Sequence, residues 1–326
     1  MTDAMRSGPR VVAHGGGHGL AATLQALRGA TDDITAIVGV ADDGGSSGRL
    51  RRDFDVIPPG DLRMALAALC GDDEHGRTWA RVVQHRFGGS GELAGHALGN
   101  LLIAGLWEHT ADIVTGLAWL ADLLGAHGRV LPLANRPLDI VAEVQGLDPV
   151  DPSSTRTVRG QVAVARTTGR VVSVRLEPAD VPACPEALAA VATADAICMG
   201  PGSWYTSVLP HLMLSDMRHA IETSPARRIC VLNLEPQRGE TTDFHLHTHL
   251  DVLHTLAPDL RFDVVLADRR MTEEPRALEA SAARLGASVE VCDLADPQAP
   301  GRHHPDLLAA ALRRLLPTRR HDTMAG

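Results

Sequence analysis

Short apolar runs alternate with amphipathic segments along most of the chain. The run 11–13 leads through a glycine-rich turn into LAATLQALRG, which has apolar residues at helical spacing, and a second apolar run follows at 34–40. A strand, a helix and a strand in this order predict a βαβ unit with parallel strands and a right-handed crossover. The alternation resumes after residue 185, with apolar runs at 196–199, 228–234, 262–266 and 288–291.

The middle of the chain divides into a helical part and a β-rich part. Apolar spacing predicts helices over 62–69, 79–87, 97–110 and 113–124, with Asp61 as the N-cap of the first. Between 129 and 178, short Val-rich runs separated by turn residues are typical of antiparallel strands. We therefore predict an α/β fold with a doubly wound, mostly parallel sheet and a small antiparallel β subdomain, or flap, inserted at 129–178.

Four loops rich in glycine or hydroxyl groups follow predicted parallel strands. They cover residues 14–19, 42–48, 200–207 and 235–242. The carboxyl ends of the strands in an open doubly wound sheet lie at the same edge, and ligands bind there. The sequence therefore predicts one ligand site built from these loops.

The first loop, HGGGHG, is a candidate phosphate-binding turn. Its glycines Gly15, Gly16, Gly17 and Gly19 would allow the backbone to approach a ligand closely, and the N-terminus of the following helix favours an anion. The alternative is a plain tight turn. The loop does not match the dinucleotide pattern GxGxxG, because Leu20 occupies the third glycine position.

The second loop offers paired carboxylates beside small and hydroxyl residues. Asp42 and Asp43 lie 23 and 24 residues after Gly19, the spacing of an acidic residue that binds a ribose hydroxyl in dinucleotide enzymes. They could instead hold Mg²⁺ next to a phosphate, or serve as N-caps or solvated charges. The other candidate ligand residues of this loop are Gly44, Gly45, Ser46 and Ser47.

The third loop, GPGSWYTS, combines a rigid turn with hydroxyl groups that can bind a sugar or a phosphate. Its candidate ligand residues are Gly200, Gly202, Ser203, Tyr205 and Thr206. Tyr205 is the only tyrosine in the chain, and its alternative role is that of a partly buried packing ring.

Two asparagines and Asp61 complete the candidate set. Asn100 lies inside a predicted helix, where asparagine is unfavourable, so we expect it to make a specific hydrogen bond, either structural or to a ligand. Asn233 ends an apolar strand. The run HLHTH, with histidines at 245, 247 and 249, lacks carboxylate or cysteine partners at metal spacing, and we expect a solvated histidine face near the pocket.

Composition excludes several classes of function. All 31 basic residues are arginine, so lysine-dependent Schiff-base chemistry and a Walker A phosphate loop are excluded. The net charge of −9 and an aromatic content of 3% argue against nucleic-acid binding and against a general attraction to anionic membranes. Five scattered cysteines, no apolar export signal and no apolar run of membrane-spanning length predict a cytoplasmic protein.

Six motifs occur in a fixed order between about Val11 and Val291: GGGHGL, VADDGGSSGRLR, PPGDLRMALAAL, GHALGNLL, GPGSWYTS and N(x)5GET. On these motifs the chain resembles the CofD-like superfamily, and within it the bacterial gluconeogenesis-factor family, also called YvcK-like. The resemblance implies a single CofD-like domain over residues 1–326 with a Rossmann-like three-layer fold. It also implies a role in growth on gluconeogenic carbon, cell shape and envelope precursor supply.

The resemblance further implies a ligand class. Members of this family bind UDP-sugars such as UDP-N-acetylglucosamine and act as regulators, whereas the related CofD branch transfers a phospholactyl-type group from a guanosine diphosphate donor to a deazaflavin with Mg²⁺. The loop DDGGSSGRLR looks like that of the regulatory branch. The predicted function is therefore a UDP-sugar-binding regulator, and the alternative is a Mg²⁺-dependent transferase that uses a nucleotide-diphosphate donor.

Residue roles follow from the same resemblance. The glycine turn would face the diphosphate, and Asp42 and Asp43 correspond to the acidic loop that takes the metal in the transferase branch, with Asp43 as the predicted ligand. Tyr205 and Thr206 match a Tyr-Thr pair that resembles the UDP-sugar contact. We expect a homo-oligomer with a regulated partner enzyme.

Overall fold

A seven-stranded parallel sheet lies at the centre of the protein. The computed structural model describes residues 8–237, 240–241, 244–272 and 274–319. The strands of this sheet are β1 (Arg10–Gly15), β2 (Asp33–Val38), β3 (Arg129–Pro132), β7 (Ala196–Met199), β8 (Arg227–Val231), β9 (Val264–Asp268) and β10 (Ser288–Cys292). Their spatial order is β10-β9-β8-β7-β1-β2-β3, and every neighbouring pair is parallel.

A second, antiparallel sheet of three strands is inserted between β3 and β7. Its strands are β4 (Asp139–Gln145), β5 (Thr155–Arg159) and β6 (Arg170–Glu177), in the order β5-β4-β6. Together the two sheets confirm the predicted α/β, Rossmann-like architecture with a small β subdomain.

Helices cover the central sheet. They are α1 (Gly17–Arg28), α2 (Gly45–Phe54), α3 (Gly60–Leu69), α4 (Glu74–Gln84), α5 (Leu98–Thr110), α6 (Ile113–Leu124), α7 (Gln161–Ala165), α8 (Pro185–Thr193), α9 (Pro210–Met213), α10 (Ser215–Thr223), α11 (Leu246–Leu256), α12 (Pro275–Arg284) and α13 (Pro305–Leu315). Helix α1 packs against α3 and α13, while α8 packs against α10 and against β1 and β3. Because β2 and β7 lie on opposite sides of β1, right-handed crossovers place these two groups of helices on opposite faces.

Burial explains why the sequence pattern revealed these strands. All five residues of β9 are buried, as are all but the first residue of β1 and of β2. A strand covered by helices on both faces needs apolar side chains at successive positions, so it appears in the sequence as a continuous apolar run.

Three expectations need correction. The segment Arg129–Pro132 pairs in parallel with β2, so the antiparallel sheet begins at Asp139 and not at 129. The run Gln161–Ala165, predicted as strand, is the short helix α7. Asp61 is not an N-cap, because α3 begins at Gly60 and Asp61 is its second residue. Helix α2, which contains most of the predicted second ligand loop, was not expected.

Candidate functional site

The carboxyl edge of the sheet contains a cleft at the point where the strand order reverses, between β1 and β7. The loops after these two strands contact each other, and a cleft of about 840 Å³ opens beside them. Its lining includes His18, Gly19, Arg63, Arg86, Gly202, Asn233 and Arg302. Such a reversal point is the usual ligand site of an open α/β sheet. Three of the predicted ligand residues, Gly19, Gly202 and Asn233, therefore share one cleft.

The glycine turn after β1 brings backbone close to the loop after β7. Gly17 has a φ of +55°, a left-handed conformation that favours glycine. A Cβ atom on Gly19 would lie only 2.2 Å from the carbonyl oxygen of Pro201. The N-cap of α1, Gly16, has no side chain to bond the first N–H groups of the helix. Asp61 accepts a hydrogen bond from the Gly17 N–H, and the next residues of the first turn, His18 and Gly19, line the cleft. The first turn of α1 therefore brings main-chain N–H groups to the cleft, as a phosphate-binding turn requires.

Two carboxylates meet at this turn, and one of them differs from the predicted pair. Asp42 accepts a hydrogen bond from the Gly44 backbone N–H at 2.9 Å, and Asp61 lies against the backbone of Gly16 and Gly17. Burial and the charge of Asp42 raise the pKa of Asp61 to about 7. Burial is also the main cause that raises the pKa of Asp42, and the Asp43 charge adds to it. The charge of Arg63 acts to lower the pKa of Asp61, and that of Arg51 acts to lower the pKa of Asp42, but burial outweighs both. A bound cation would stabilise the ionised carboxylates further.

Asp43 points away from this pair, toward the inserted β subdomain. Its Oδ1 accepts a hydrogen bond from the Val162 backbone N–H at 3.0 Å, and its carboxylate lies against Gly160. Gly160 and Val162 are the N-cap and the second residue of α7. Asp43 therefore caps α7 and fastens the insert to the loop after β2. Part of the acceptor capacity that was predicted to bind a metal is used by this contact.

Replacing Asp43 by Ala tests this attachment. We expect the variant to lose about 1 kcal/mol of unfolding free energy, the usual value of a helix cap, and to show faster amide hydrogen exchange over residues 160–165. Asp53→Ala, which alters an exposed carboxylate on α2, is the matched control. Equal exchange over α7 in the two variants would show that the Asp43 contact does not form in solution.

A buried polar network joins α2, α3 and α5. The Ser46 hydroxyl lies 3.0 Å from His96 Nδ1 and accepts a hydrogen bond from Asn100 Nδ2 at 3.0 Å. Asn100 Oδ1 in turn accepts a hydrogen bond from Arg63 Nε at 2.8 Å. The expected specific hydrogen bond of Asn100 is therefore present. Ser46 and Asn100 are only 3% and 1% exposed, so they act on the cleft by holding Arg63.

Arg63 is the residue of the cleft that the sequence interpretation missed. Its side chain is buried, and its Nη1 atom has no hydrogen-bond partner. Burial and the nearby charge of Arg86 lower the pKa of Arg63 to about 10. The signal in the sequence was an arginine within the apolar helical segment LRMALAAL. Burying a charged side chain costs free energy, so such an arginine indicates a specific interaction.

The loop after β7 forms a π-helical turn, Trp204–Val208, whose polar groups surround one carboxylate. Glu240 Oε2 accepts the Tyr205 backbone N–H at 3.0 Å, and Oε1 accepts the Thr206 hydroxyl at 2.9 Å and the Ser203 hydroxyl. The predicted ligand residues Ser203, Tyr205 and Thr206 thus bind a carboxylate of this same chain. Burial and then the charge of Glu240 raise the pKa of Tyr205 to about 12.

Asn233 fixes the same loop from the next strand. Its Oδ1 accepts the Gly202 N–H at 2.8 Å, and its Nδ2 donates to the Gly202 carbonyl at 2.9 Å. The two bonds hold the Gly202 backbone at the mouth of the cleft. Asn233 also borders a second cavity, of about 530 Å³, which His245, His247 and His249 line.

The predicted histidine face is partly buried. His249 is 2% exposed and packs edge-on against Trp204, with ring centroids 4.9 Å apart. His247 Nδ1 lies 3.3 Å from a carboxylate oxygen of Glu274. Within residues 8–319, apart from the gaps at 238–239, 242–243 and 273, no cluster of three or more His, Cys, Asp or Glu is arranged to hold a metal ion.

The predicted residues lie at several neighbouring places. Gly16 and Gly17 lie against Asp61 at the glycine turn, where Asp42 and Ser47 meet Gly60, and Gly15 is the last residue of β1 just before the turn. Gly19, Gly202 and Asn233 line the cleft, while Ser46 and Asn100 lie behind it. Gly44 is the N-cap of α2 and Gly45 is its first residue. Gly200, the first residue of the loop after β7, accepts a hydrogen bond from the Thr23 hydroxyl at 3.1 Å. Of the fourth predicted loop, Arg238, Gly239 and Thr242 lie outside the described residues.

Comparison with known proteins identifies the family. The model of the family described as "2-phospho-L-lactate transferase CofD" matches residues 11–303, which is most of the chain. The chain belongs to the CofD family. A protein of Mycobacterium tuberculosis is 52% identical over 305 residues, which cover 93% of this chain and 89% of that protein. A gluconeogenesis factor of Halalkalibacterium halodurans is 40% identical over 243 residues, covering 74% and 72%.

A solved structure supports the same placement. The crystal structure of a UPF0052 family protein from Bacillus halodurans superimposes with a TM-score of 0.82 at 33% identity, covering 94% of this chain and 98% of that one. The resemblance to the gluconeogenesis-factor family of the CofD superfamily is thereby confirmed. None of the helices in the described part of the chain has the length and apolar character needed to cross a membrane.

Proposed function

We propose that this CofD-family protein binds a UDP-sugar of the UDP-N-acetylglucosamine type in the cleft between the β1 and β7 loops and acts as a cytoplasmic regulator. The cleft at the reversal point carries this proposal. It combines the first turn of α1, at His18 and Gly19, with the buried Arg63 guanidinium, and both suit a diphosphate. Its volume of about 840 Å³ lies within the range of pockets that bind small ligands.

The regulatory part of the proposal draws on the relatives named gluconeogenesis factor. The role would concern growth on gluconeogenic carbon, cell shape and the supply of envelope precursors. Asp43 connects the loop after β2 to the insert. Ligand at the neighbouring glycine turn would order the loops and this flap together, and so change a surface that a partner enzyme recognises.

A second candidate function is a Mg²⁺-dependent transferase that uses a nucleotide-diphosphate donor. The observation that favours it is the pair Asp42 and Asp61 at the glycine turn, each with a raised pKa. Mg²⁺ is commonly held by one or two protein carboxylates together with substrate phosphates, so these residues fit the ion. The ion would supply charge neutralisation for the phosphates, and Asp42 and Asp61 would hold it, with Asp43 committed to α7.

Isothermal titration with UDP-N-acetylglucosamine, GDP and NAD distinguishes these functions. We expect the UDP-sugar to bind at micromolar concentrations and to be recovered intact after prolonged incubation with Mg²⁺. NAD is the control ligand, since the glycine turn lacks the dinucleotide pattern.

Two results would contradict the proposal in different ways. If the folded protein does not bind the UDP-sugar, the proposed regulatory function is excluded. Metal-dependent turnover of a nucleotide diphosphate donor would instead establish the transferase.

A further inference from the structure

We propose that Arg63 and Arg86 form a subsite for a phosphate group of the bound nucleotide. This inference rests on the proposed nucleotide-binding function and specifies which side chains recognise its charged part. Neither arginine belongs to the acidic loop or the glycine turn. Both line the cleft of about 840 Å³, on the α3 and α4 side, facing the loops after β7 and β8.

Arg63 is a buried cation that makes no direct ion pair, although the charges of Asp61 and Asp42 act on it from beyond ion-pair distance. Its residue exposure is 3%, and its Nη1 is enclosed without a hydrogen-bond partner. In the described part of the chain, neither Arg63 nor Arg86 forms an ion pair with a carboxylate. Arg86 donates through Nη1 to the Gly95 carbonyl at 3.0 Å, which leaves most of its donors available. Two guanidinium groups near each other, one of them buried and without an ion pair, repel each other, and a bound anion would offset this repulsion more directly than the more distant Asp61 and Asp42.

The arginine is also held in place before any ligand arrives. Asn100 binds Arg63 Nε at 2.8 Å, and Asn100 is itself fixed by Ser46 at 3.0 Å. Gly99 lies against the Arg63 side chain, with an added Cβ only 2.9 Å from Cγ. A buried hydrogen-bond network thus orients the Arg63 guanidinium. Preorganisation of this kind lowers the entropy cost of binding.

The chemistry of the subsite is that of an oxyanion. A guanidinium presents planar, parallel donors that match phosphate oxygens, and it stays charged at neutral pH. The opposite wall carries Gly19 and Gly202, and the missing Cβ of Gly19 lets α1 and the loop after β7 approach each other there. We assign the phosphate in this subsite to the diphosphate of the bound nucleotide. A separate phosphate-bearing ligand would present the same oxyanion.

The test uses the full chain and three variants. Arg63→Gln and Arg86→Gln remove the proposed contacts, and Arg81→Gln, an exposed arginine of α4, is the matched control. Binding of UDP-N-acetylglucosamine, UDP, uridine and inorganic pyrophosphate is measured by calorimetry. We expect Arg63→Gln to weaken the UDP-sugar and UDP at least tenfold and Arg86→Gln about threefold to tenfold, with uridine and the Arg81→Gln variant unchanged.

The outcomes separate the subsite from the function. If the wild-type protein binds pyrophosphate but no UDP-sugar, the proposed function is wrong. The subsite is still supported in that case if Arg63→Gln abolishes pyrophosphate binding. If Arg63→Gln loses pyrophosphate binding but keeps its affinity for the UDP-sugar, the subsite binds a separate anion and not the nucleotide. Equal affinities in Arg63→Gln and Arg81→Gln for every phosphate ligand would overturn the inference. Arg86→Gln changes an exposed side chain, so it answers the same question if Arg63→Gln does not fold.

Discussion

Gly19→Ala is expected to destabilise the protein and widen the cleft. The added methyl group would lie 2.2 Å from the Pro201 carbonyl oxygen, 2.6 Å from its carbon and 2.7 Å from Gly202 Cα. These are backbone atoms, which cannot rotate away, so α1 and the β7 loop must separate. Overpacking of this kind costs about 1–3 kcal/mol, and a rigid backbone neighbour places the loss at the upper end. We expect the melting temperature to fall and the affinity for UDP-sugar to drop at least tenfold.

Gly105→Ala is the matched control for this prediction. Gly105 also lies in a helix, α5, but an added Cβ would meet nothing within 4 Å. Alanine is favoured over glycine in a helix interior by about 1 kcal/mol, so this variant should melt at a slightly higher temperature with unchanged affinity. If Gly19→Ala behaves in thermal unfolding and titration like Gly105→Ala, the two loops do not approach as closely as described.

Asp61→Asn is expected to make the protein more stable at pH 8. The pKa of Asp61 rises from 3.8 to about 7 on folding, so the folded state prefers the neutral acid. The contribution of Asp61 to the free energy of unfolding is fully present below about pH 4. It decreases as the pH rises from about 4 to about 7 and changes little above that. At 1.36 kcal/mol per pKa unit, the upper limit of the loss is on the order of 4 kcal/mol. The neutral amide avoids this penalty.

The measurement is the unfolding free energy by denaturant titration between pH 4 and pH 8, with and without Mg²⁺. We expect Asp61→Asn to match the wild type near pH 4 and exceed it increasingly up to pH 8. Mg²⁺ should stabilise the wild type at pH 8 and leave the variant unaffected, since the cation would offset the repulsion between the Asp42 and Asp61 carboxylates. Asp53→Asn, on the exposed side of α2, is the control. A wild type and an Asp61→Asn variant with the same pH dependence would contradict the raised pKa.

The predicted loops meet at one edge of the sheet, whereas their role in binding a ligand stays a prediction. The glycine turn, the loop after β7 and Asn233 were recognisable because parallel strands place their carboxyl ends at one edge, and because the ordered motifs resemble a known family. Arg63 was not recognised, because its role depends on Asn100 and Ser46, which are 37 and 17 residues away in the chain. No local pattern encodes a buried guanidinium that lacks a partner.

Secondary structure was predicted wrongly where a contact with a residue far away in the sequence determines it. The residues of Gln161–Ala165 have strand-like composition, yet Asp43, from the loop after β2, caps them as a helix. Arg129–Pro132 has the composition of its β-rich neighbours, yet it pairs with β2 in the central sheet. Strand composition indicates burial on a sheet, whereas the identity of the partner strand is fixed by the packing of the whole chain.

The sequence by itself determined the fold class, the edge at which the ligand loops meet and the family. Each of these follows from local periodicity, from the geometry of parallel strands or from ordered motifs. Only the tertiary structure decided which carboxylates and cations face one another. Asp42 and Asp61 meet at the glycine turn while Asp43 binds the backbone of α7, and Arg63 lies near Arg86 at the cleft. The reason is physical: charge interactions depend on distance and burial, and neither is fixed by position along the chain.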